Sequence, residues 1–212
     1  MQYHIRDFTI NYDSELDGGG SWITPVFLNF MQQQFYDIDF DECLEWCSGP
    51  AFMGMSLLVN NFCKKLCVTD MYQPAIDTVI NNVKNTNYEH LVKTYCIDKI
   101  ALLPQTEMFD LIVANPPHFA SNNFYLDNVL TTGQRIYVDK NWKTHVEFFT
   151  NIASHLKPDG KIVLVESAWG CNADTFNAVI NRANLKVSHC QYEGYFNQVY
   201  PLLFIVVEHN QG

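Results

Sequence analysis

The segment FDLIVANPPHF, residues 109–119, carries an apolar run into groups of a different kind. Leu111, Ile112, Val113 and Ala114 have the make-up of a buried strand. Asn115, Pro116, Pro117 and His118 follow at once: a side-chain amide, two residues that fix φ and lack an N–H, and an imidazole. A second group lies upstream, in 42-ECLEWCSGPAFMGMSLL-58. There a strand bearing Glu45 runs into a loop of small residues and then a helix, which aims backbone N–H groups and a helix N-terminus at a ligand. Asp70 closes the next strand, 25 residues after Glu45, where an acid can accept from both hydroxyls of a ribose. Asp98 follows a third strand and can accept from an adenine amino group. Ligands bind outside the carboxyl ends of such sheets, so acids at strand ends beside this loop suit a nucleoside. The strict dinucleotide fingerprint is absent, since Cys47, Gly49, Ala51 and Gly54 stand around that register. The loop alone fits a plain strand-to-helix turn equally well.

Alternating strands and helices must position these groups. Phe8 to Tyr12 reads as a short strand, DSELDGGGSW as a turn-rich loop, and ITPVFLNFMQQQFY as a helix with Thr24 at its N-cap and Pro25 at its first position. Core strands are expected over 42–47, 65–70, 91–97, 110–114 and 162–166, and helices over 52–62, 74–84, 144–156 and 173–182. Residues 120–140 read as a long connection and Lys157–Gly160 as a turn. Two late strands, 187–192 and 202–208, read as an antiparallel hairpin. The fold expected is α/β: a seven-stranded, mostly parallel, Rossmann-like sheet with an antiparallel C-terminal hairpin strand and helices on both faces.

The 212 residues fit one α/β domain, and 48 % hydrophobic against 17 % charged residues is a globular composition. A net charge of -10, with 13 Lys plus Arg and no basic run longer than Lys64-Lys65, argues against a generic duplex binder. It leaves room for a local basic patch and for a small or protein substrate. No apolar run approaches the roughly 18 residues needed to span a bilayer, and MQYHIRDFTINYD lacks a signal-peptide pattern. A cytoplasmic protein without a membrane partner is expected. The seven cysteines are odd in number and scattered, with no Cys-x-x-Cys and no matching His pair, so reduced buried thiols are expected and no metal.

In their order, the Glu45 loop, Asp70, Asp98 and Asn115-Pro116-Pro117-His118 resemble the class I S-adenosylmethionine-dependent methyltransferases. The nearest branch carries an N-P-P-[YFW]-type motif and includes release-factor glutamine methyltransferases and N6-adenine methyltransferases of DNA and RNA. The likeness runs from about Ile23 to Glu208, and 23-ITPVFLNFM-31 resembles the T-P-x-x-L/V helix of some N6-adenine enzymes. The chain departs at Cys47 and Ala51, where the family usually has glycine, and at His118, where it has an aromatic that stacks on the target.

The resemblance implies S-adenosylmethionine as cofactor and S-adenosylhomocysteine as product, held by Glu45, Cys47, Gly49, Ala51, Gly54, Asp70, Met71, Asp98 and Asn115. It implies a catalytic set of Asn115, Pro116, Pro117 and His118 for methyl transfer to a planar nitrogen. Such a nitrogen is a poor nucleophile because its lone pair is delocalised. Two acceptors on its hydrogens, the Asn115 side-chain oxygen and the Pro116 carbonyl, favour a more pyramidal nitrogen as charge builds. In-line positioning against a sulfonium is then the main requirement, worth ~7–11 kcal/mol at the well-oriented limit. His118 would be a wall, a donor to substrate or a proton acceptor. Phe119, Trp22, Arg135, Trp142 and His145 are candidate substrate contacts, with Trp142 and His145 also reading as helix-start packing.

Residues 1–22 are expected to form an N-terminal extension or lid, and 23–212 a single methyltransferase domain. Neither a large reader domain nor an N-terminal helical domain is expected. With the acidic charge, this favours a protein or peptide amide such as glutamine. N6 of adenine in RNA or DNA is the alternative, then a small-molecule amine. Oligomeric state stays open. A nicotinamide dehydrogenase would account for the sheet and Asp70 but not for residues 115–118. A non-catalytic module that binds S-adenosylmethionine would keep the fold without transfer.

Overall fold

The computed structural model describes residues 1–120, 136–193 and 201–211. The apolar runs bounded by turns become strands, and the runs with helical spacing become helices. A two-stranded antiparallel hairpin, β1 (Gln2–Ile5) and β2 (Phe8–Asn11), opens the chain. There follow α1 (Gly20–Phe35), β3 (Phe40–Trp46), α2 (Phe52–Val59), β4 (Cys63–Asp70), α3 (Gln73–Val83), β5 (Val92–Cys96) and β6 (Phe109–Ala114). Then come α4 (Lys143–Ile152), β7 (Leu156–Ser167), α5 (Asn177–Arg182), β8 (Leu185–Glu193) and β9 (Leu202–His209). Seven strands make one mixed sheet in the order β5-β4-β3-β6-β7-β9-β8, the architecture expected from the sequence. Among the described residues no helix is long and apolar enough to cross a membrane.

The chain divides into two compact units. The first, Met1–Asp98 with Phe109–Ala114, is built on parallel pairing of β3 with β4 and β6, and of β4 with β5. Leu111, Ile112, Val113 and Ala114 are wholly buried, which is why β6 is continuously apolar rather than alternating. The register sets Glu45 opposite Val113 and Val68, and Trp46 opposite Ala114. Every residue of α2 is buried, whereas α3 turns Ala75, Ile76, Val79 and Val83 inward and leaves its other residues, Ile80 among them, outside the buried set. The second unit, Lys99–Met108 with Asn115–Gly212, holds β7 and β8 antiparallel to β9. Its core includes Phe148, Phe149, Ile152 and Phe176.

Element ends differ from the sequence reading where side chains outcompete pattern. Helix α1 starts at Gly20, so Thr24 and Pro25 lie inside it. The cap comes from Asp17, whose Oδ1 accepts from the Gly19 and Ser21 amides at 3.0 and 3.2 Å, and which also accepts from the Ser21 hydroxyl. The Thr24 hydroxyl donates to the Gly20 carbonyl at 2.7 Å. Helix α2 stops at Val59, short of Phe62, because Asn61 turns left-handed and the Phe62 and Asn61 amides donate back to the Leu57 and Leu58 carbonyls. Helix α5 starts at Asn177 rather than Ala173, since Asn172 and Thr175 bond the local backbone instead. Lys157–Gly160, read as a turn, belongs to β7. The pairing partner of β2, Gln2–Ile5, has no counterpart in the sequence reading.

Candidate active site

Glu45 sits near the C-terminal end of β3 with 3 % exposure, and its Oε2 accepts from the Gly54 amide at 2.8 Å. The helix can approach this closely because residue 54 is glycine. A Cβ there would lie 2.5 Å from Glu45 Oε2 and 2.7 Å from Leu66 Cδ1. Burial pushes the Glu45 carboxyl up to about 8, against the Gly54 and Met53 amides that favour its charge, and nearby Asp70 pushes the same way. Asp70 ends β4. Its Oδ2 accepts from the Gly49 amide at 2.8 Å and its Oδ1 from the Tyr72 amide at 2.9 Å, while burial raises its carboxyl above the ordinary value.

Direct hydrogen bonds thus join Glu45 to Gly54 and Gly49 to Asp70. Between them the loop takes a tight path, with φ of 54°, 51° and 63° at Cys47, Gly49 and Ala51. Two of these left-handed residues are not glycine, at a cost of about 1–2 kcal/mol each. Met71 and Tyr72 are 62 % and 55 % exposed just past Asp70. Asp98 is exposed, two residues beyond Cys96, which pairs with Asp70. Trp22 lies half-buried in the first turn of α1.

In the second unit, Asn115 begins directly where β6 ends. It is half-buried, and its Oδ1 is buried with no hydrogen-bond partner among the described residues. Pro116 is buried and Pro117 half-buried. His118 is turned inward at 1 % exposure, with Nδ1 at 3.2 Å from Glu166 Oε2. The other Glu166 oxygen lies 2.8 Å from His145 Nε2, and His145 Nδ1 lies 2.7 Å from Asp139 Oδ2. Asp139 also accepts from the Thr144 and His145 amides at 2.9 and 3.0 Å, capping α4.

Both ring nitrogens of His145 face carboxylates, which only accept, so both carry hydrogen and the ring is an imidazolium. Burial alone would strip that proton, but the Glu166 and Asp139 charges and hydrogen bonds raise His145 to about 9. Burial likewise opposes charge on Glu166 and Asp139. Against it, His145 with His118 holds Glu166 below the ordinary value, and His145 with the helix amides holds Asp139 below it. Phe176 stacks flat on His145 with ring centroids 4.6 Å apart, and Trp142 meets it edge-on at 5.1 Å.

Phe119 is half-buried and strapped through its backbone. Its amide donates to the Tyr137 carbonyl at 3.1 Å, and the Asp139 amide donates to its carbonyl at 2.9 Å. Lys140 and Lys143 are exposed at the start of α4. Arg135, a candidate substrate contact, lies outside the described residues. Sequence reasoning did not single out Asp139, Glu166 or Gly170. The available signal was Glu166 itself, one acid at the end of the apolar run Ile162 to Val165.

No family model matches the chain, and no curated protein matches it. Solved structures are similar at low identity. A ribosomal protein L11 methylase from Lactobacillus delbrueckii subsp. bulgaricus superposes with TM-score 0.59 at 11 % identity, over 89 % of this chain and 79 % of that one. The N-methyltransferase NodS from Bradyrhizobium japonicum WM9, in complex with S-adenosyl-L-homocysteine, gives 0.62 at 17 % identity, over 93 % and 95 %. The B. subtilis M1A22 tRNA methyltransferase TrmK gives 0.58 at 8 % identity, over 94 % and 67 %. The fold is therefore the Rossmann-like methyltransferase fold.

Proposed function

We propose that the chain is an S-adenosylmethionine-dependent N-methyltransferase acting on a planar nitrogen. One observation carries the reading: the buried Asn115 Oδ1, left without a donor among the described residues one position past β6. A buried acceptor in that state costs roughly 1–3 kcal/mol, and native proteins keep few of them. A substrate N–H would satisfy it, with the Pro116 carbonyl taking a second hydrogen of the same nitrogen. The two acceptors hold the nitrogen in one orientation and favour the charge that develops on it during transfer.

Residues of the first unit suit the cofactor. Asp70 keeps acceptor capacity after its two backbone bonds and would take the ribose hydroxyls. Asp98 would take the adenine amino group, Met71 would cover the base, and the Cys47–Ala51 turn into α2 would face the rest. Glu45 would act through its hold on Gly54. S-Adenosylmethionine supplies, when bound, an electrophilic methyl on a sulfonium. The likeness to NodS bound to S-adenosyl-L-homocysteine supports this assignment.

The acidic charge of -10 favours a protein or peptide amide of the glutamine kind as the target. Exposed Lys140 and Lys143, with the likeness to a tRNA methyltransferase, favour an adenine of RNA as the second reading. The test is calorimetric binding of S-adenosylmethionine, followed by label transfer from its tritiated form into cell extract with Asn115→Ala as control. Label in protein that is lost in the variant is the expected result. Label in RNA would replace the amide by adenine, and absence of cofactor binding would end the reading.

A further inference from the structure

We infer that Glu166 and Gly170, at and just past the end of β7, are positioning residues for this reaction: Glu166 orients the His118 ring and Gly170 sets the His118 carbonyl. The inference rests on the proposed transfer and assigns it two residues that the motif does not contain.

Gly170 acts by being small. A Cβ there would lie 1.9 Å from the His118 carbonyl oxygen and 3.0 Å from its carbonyl carbon. No side chain fits, so the backbone after β7 lies directly on the backbone of the motif. An alanine would have to push the carbonyl away by about 1 Å, a displacement that costs on the order of 10²-fold when it reaches a reacting geometry.

Glu166 acts through hydrogen bonding. A charged carboxylate only accepts, so His118 Nδ1 carries the hydrogen and the ring is held in one orientation at 3.2 Å. Glu166 is itself fixed. His145 Nε2 holds its second oxygen at 2.8 Å, and Asp139 holds His145 at 2.7 Å. The Asp139 amide then donates to the carbonyl of Phe119, the residue after His118. The contacts therefore close a ring, from His118 through Glu166, His145 and Asp139 to Phe119 and along the chain back to His118. A closed ring of bonded groups restrains the motif more than a single contact would. All four side chains are buried, so water does not compete for these bonds. Asn115 and Pro116 precede this ring by three and two residues and inherit its placement.

The test uses the full chain with Gly170→Ala and Glu166→Gln, each checked for wild-type circular dichroism. Gly170→Ala is expected to bind S-adenosylmethionine within twofold of wild type and to transfer label 10- to 100-fold more slowly at saturating cofactor, a loss in kcat rather than KM. In nitrogen-15 spectra of the histidine rings, wild type is expected to show His118 with hydrogen on Nδ1. Glu166→Gln is expected to lose that fixed state together with transfer rate. Transfer by Gly170→Ala within threefold of wild type, or a His118 ring with hydrogen on Nε2 alone, overturns the positioning role. A wild-type chain that transfers nothing removes the reaction itself, a different result from active wild type with undiminished variants.

Discussion

At the scale of single residues, Asn115 Oδ1 is one of a few buried side-chain polar atoms without a hydrogen-bond partner among the described residues, and the one amide oxygen among them. Asn115→Ala removes that acceptor. The expected outcome is a fall of about 10²–10³ in kcat, as for loss of one donor or acceptor aimed at developing charge. Stability should hold or rise by about 1 kcal/mol in urea unfolding, because an unsatisfied buried oxygen is gone. A variant that loses both activity and fold would deny Asn115 this role. His145 is the opposite case, a residue whose partners are all present. His145→Leu leaves two buried carboxylates facing each other without the cation between them, and should cost about 3–5 kcal/mol. The Asn-Pro-Pro-His run stands out in the sequence because prolines alone end a strand and a plain stop needs no asparagine there. The rest of its surroundings does not. Glu166 lies 48 residues from His118 and 21 from His145, and no local spacing announces such pairs.

At the scale of elements, the strands were legible because their apolar runs are short, dense and separated by turns, and the late hairpin followed from the same pattern. The helix starts were less so. Asp17 caps α1 from three residues ahead of Gly20, and this outweighed the Thr24-Pro25 pair that reads as a start. Asp17→Ala is expected to lower stability by about 0.5–2 kcal/mol, measured by thermal melting, with no change in cofactor affinity. The strand-to-helix turn after β3 was legible as a tight turn from its small residues, but its left-handed Cys47 and Ala51 were not, since nothing about their side chains asks for that backbone. Gly54→Ala tests the element as a whole. The added methyl would sit 2.5 Å from Glu45 Oε2 and separate α2 from β3. Cofactor affinity should fall tenfold or more by calorimetry, and an unchanged dissociation constant would show that this junction does not serve the cofactor.

At the scale of the whole molecule, buried ionisable groups set a pH dependence with a definite sign. His145 is raised from 6.5 to about 9, so its contribution is complete below 6.5 and is lost as pH climbs to about 9. Glu45 is raised from 4.5 to about 8, so the fold prefers its neutral form and loses that preference over the same direction. Asp139 and Glu166 are held low, and their contribution disappears as pH falls through the carboxylate range. Thermal stability should be highest near pH 4.5, fall as Glu45 loses its preference toward pH 8, and fall further as His145 does so toward pH 9, as read by melting across that range. A melting temperature that rises from pH 7 to 9 would contradict these assignments. The Asp139, His145 and Glu166 set also bears on descent. Losing any one of the three strands a charge in the interior, so no member drifts alone. Lineages should carry acid, imidazole and acid as one inherited block, or exchange all three for apolar residues together, and a collection of diverged homologues should show those columns changing in concert.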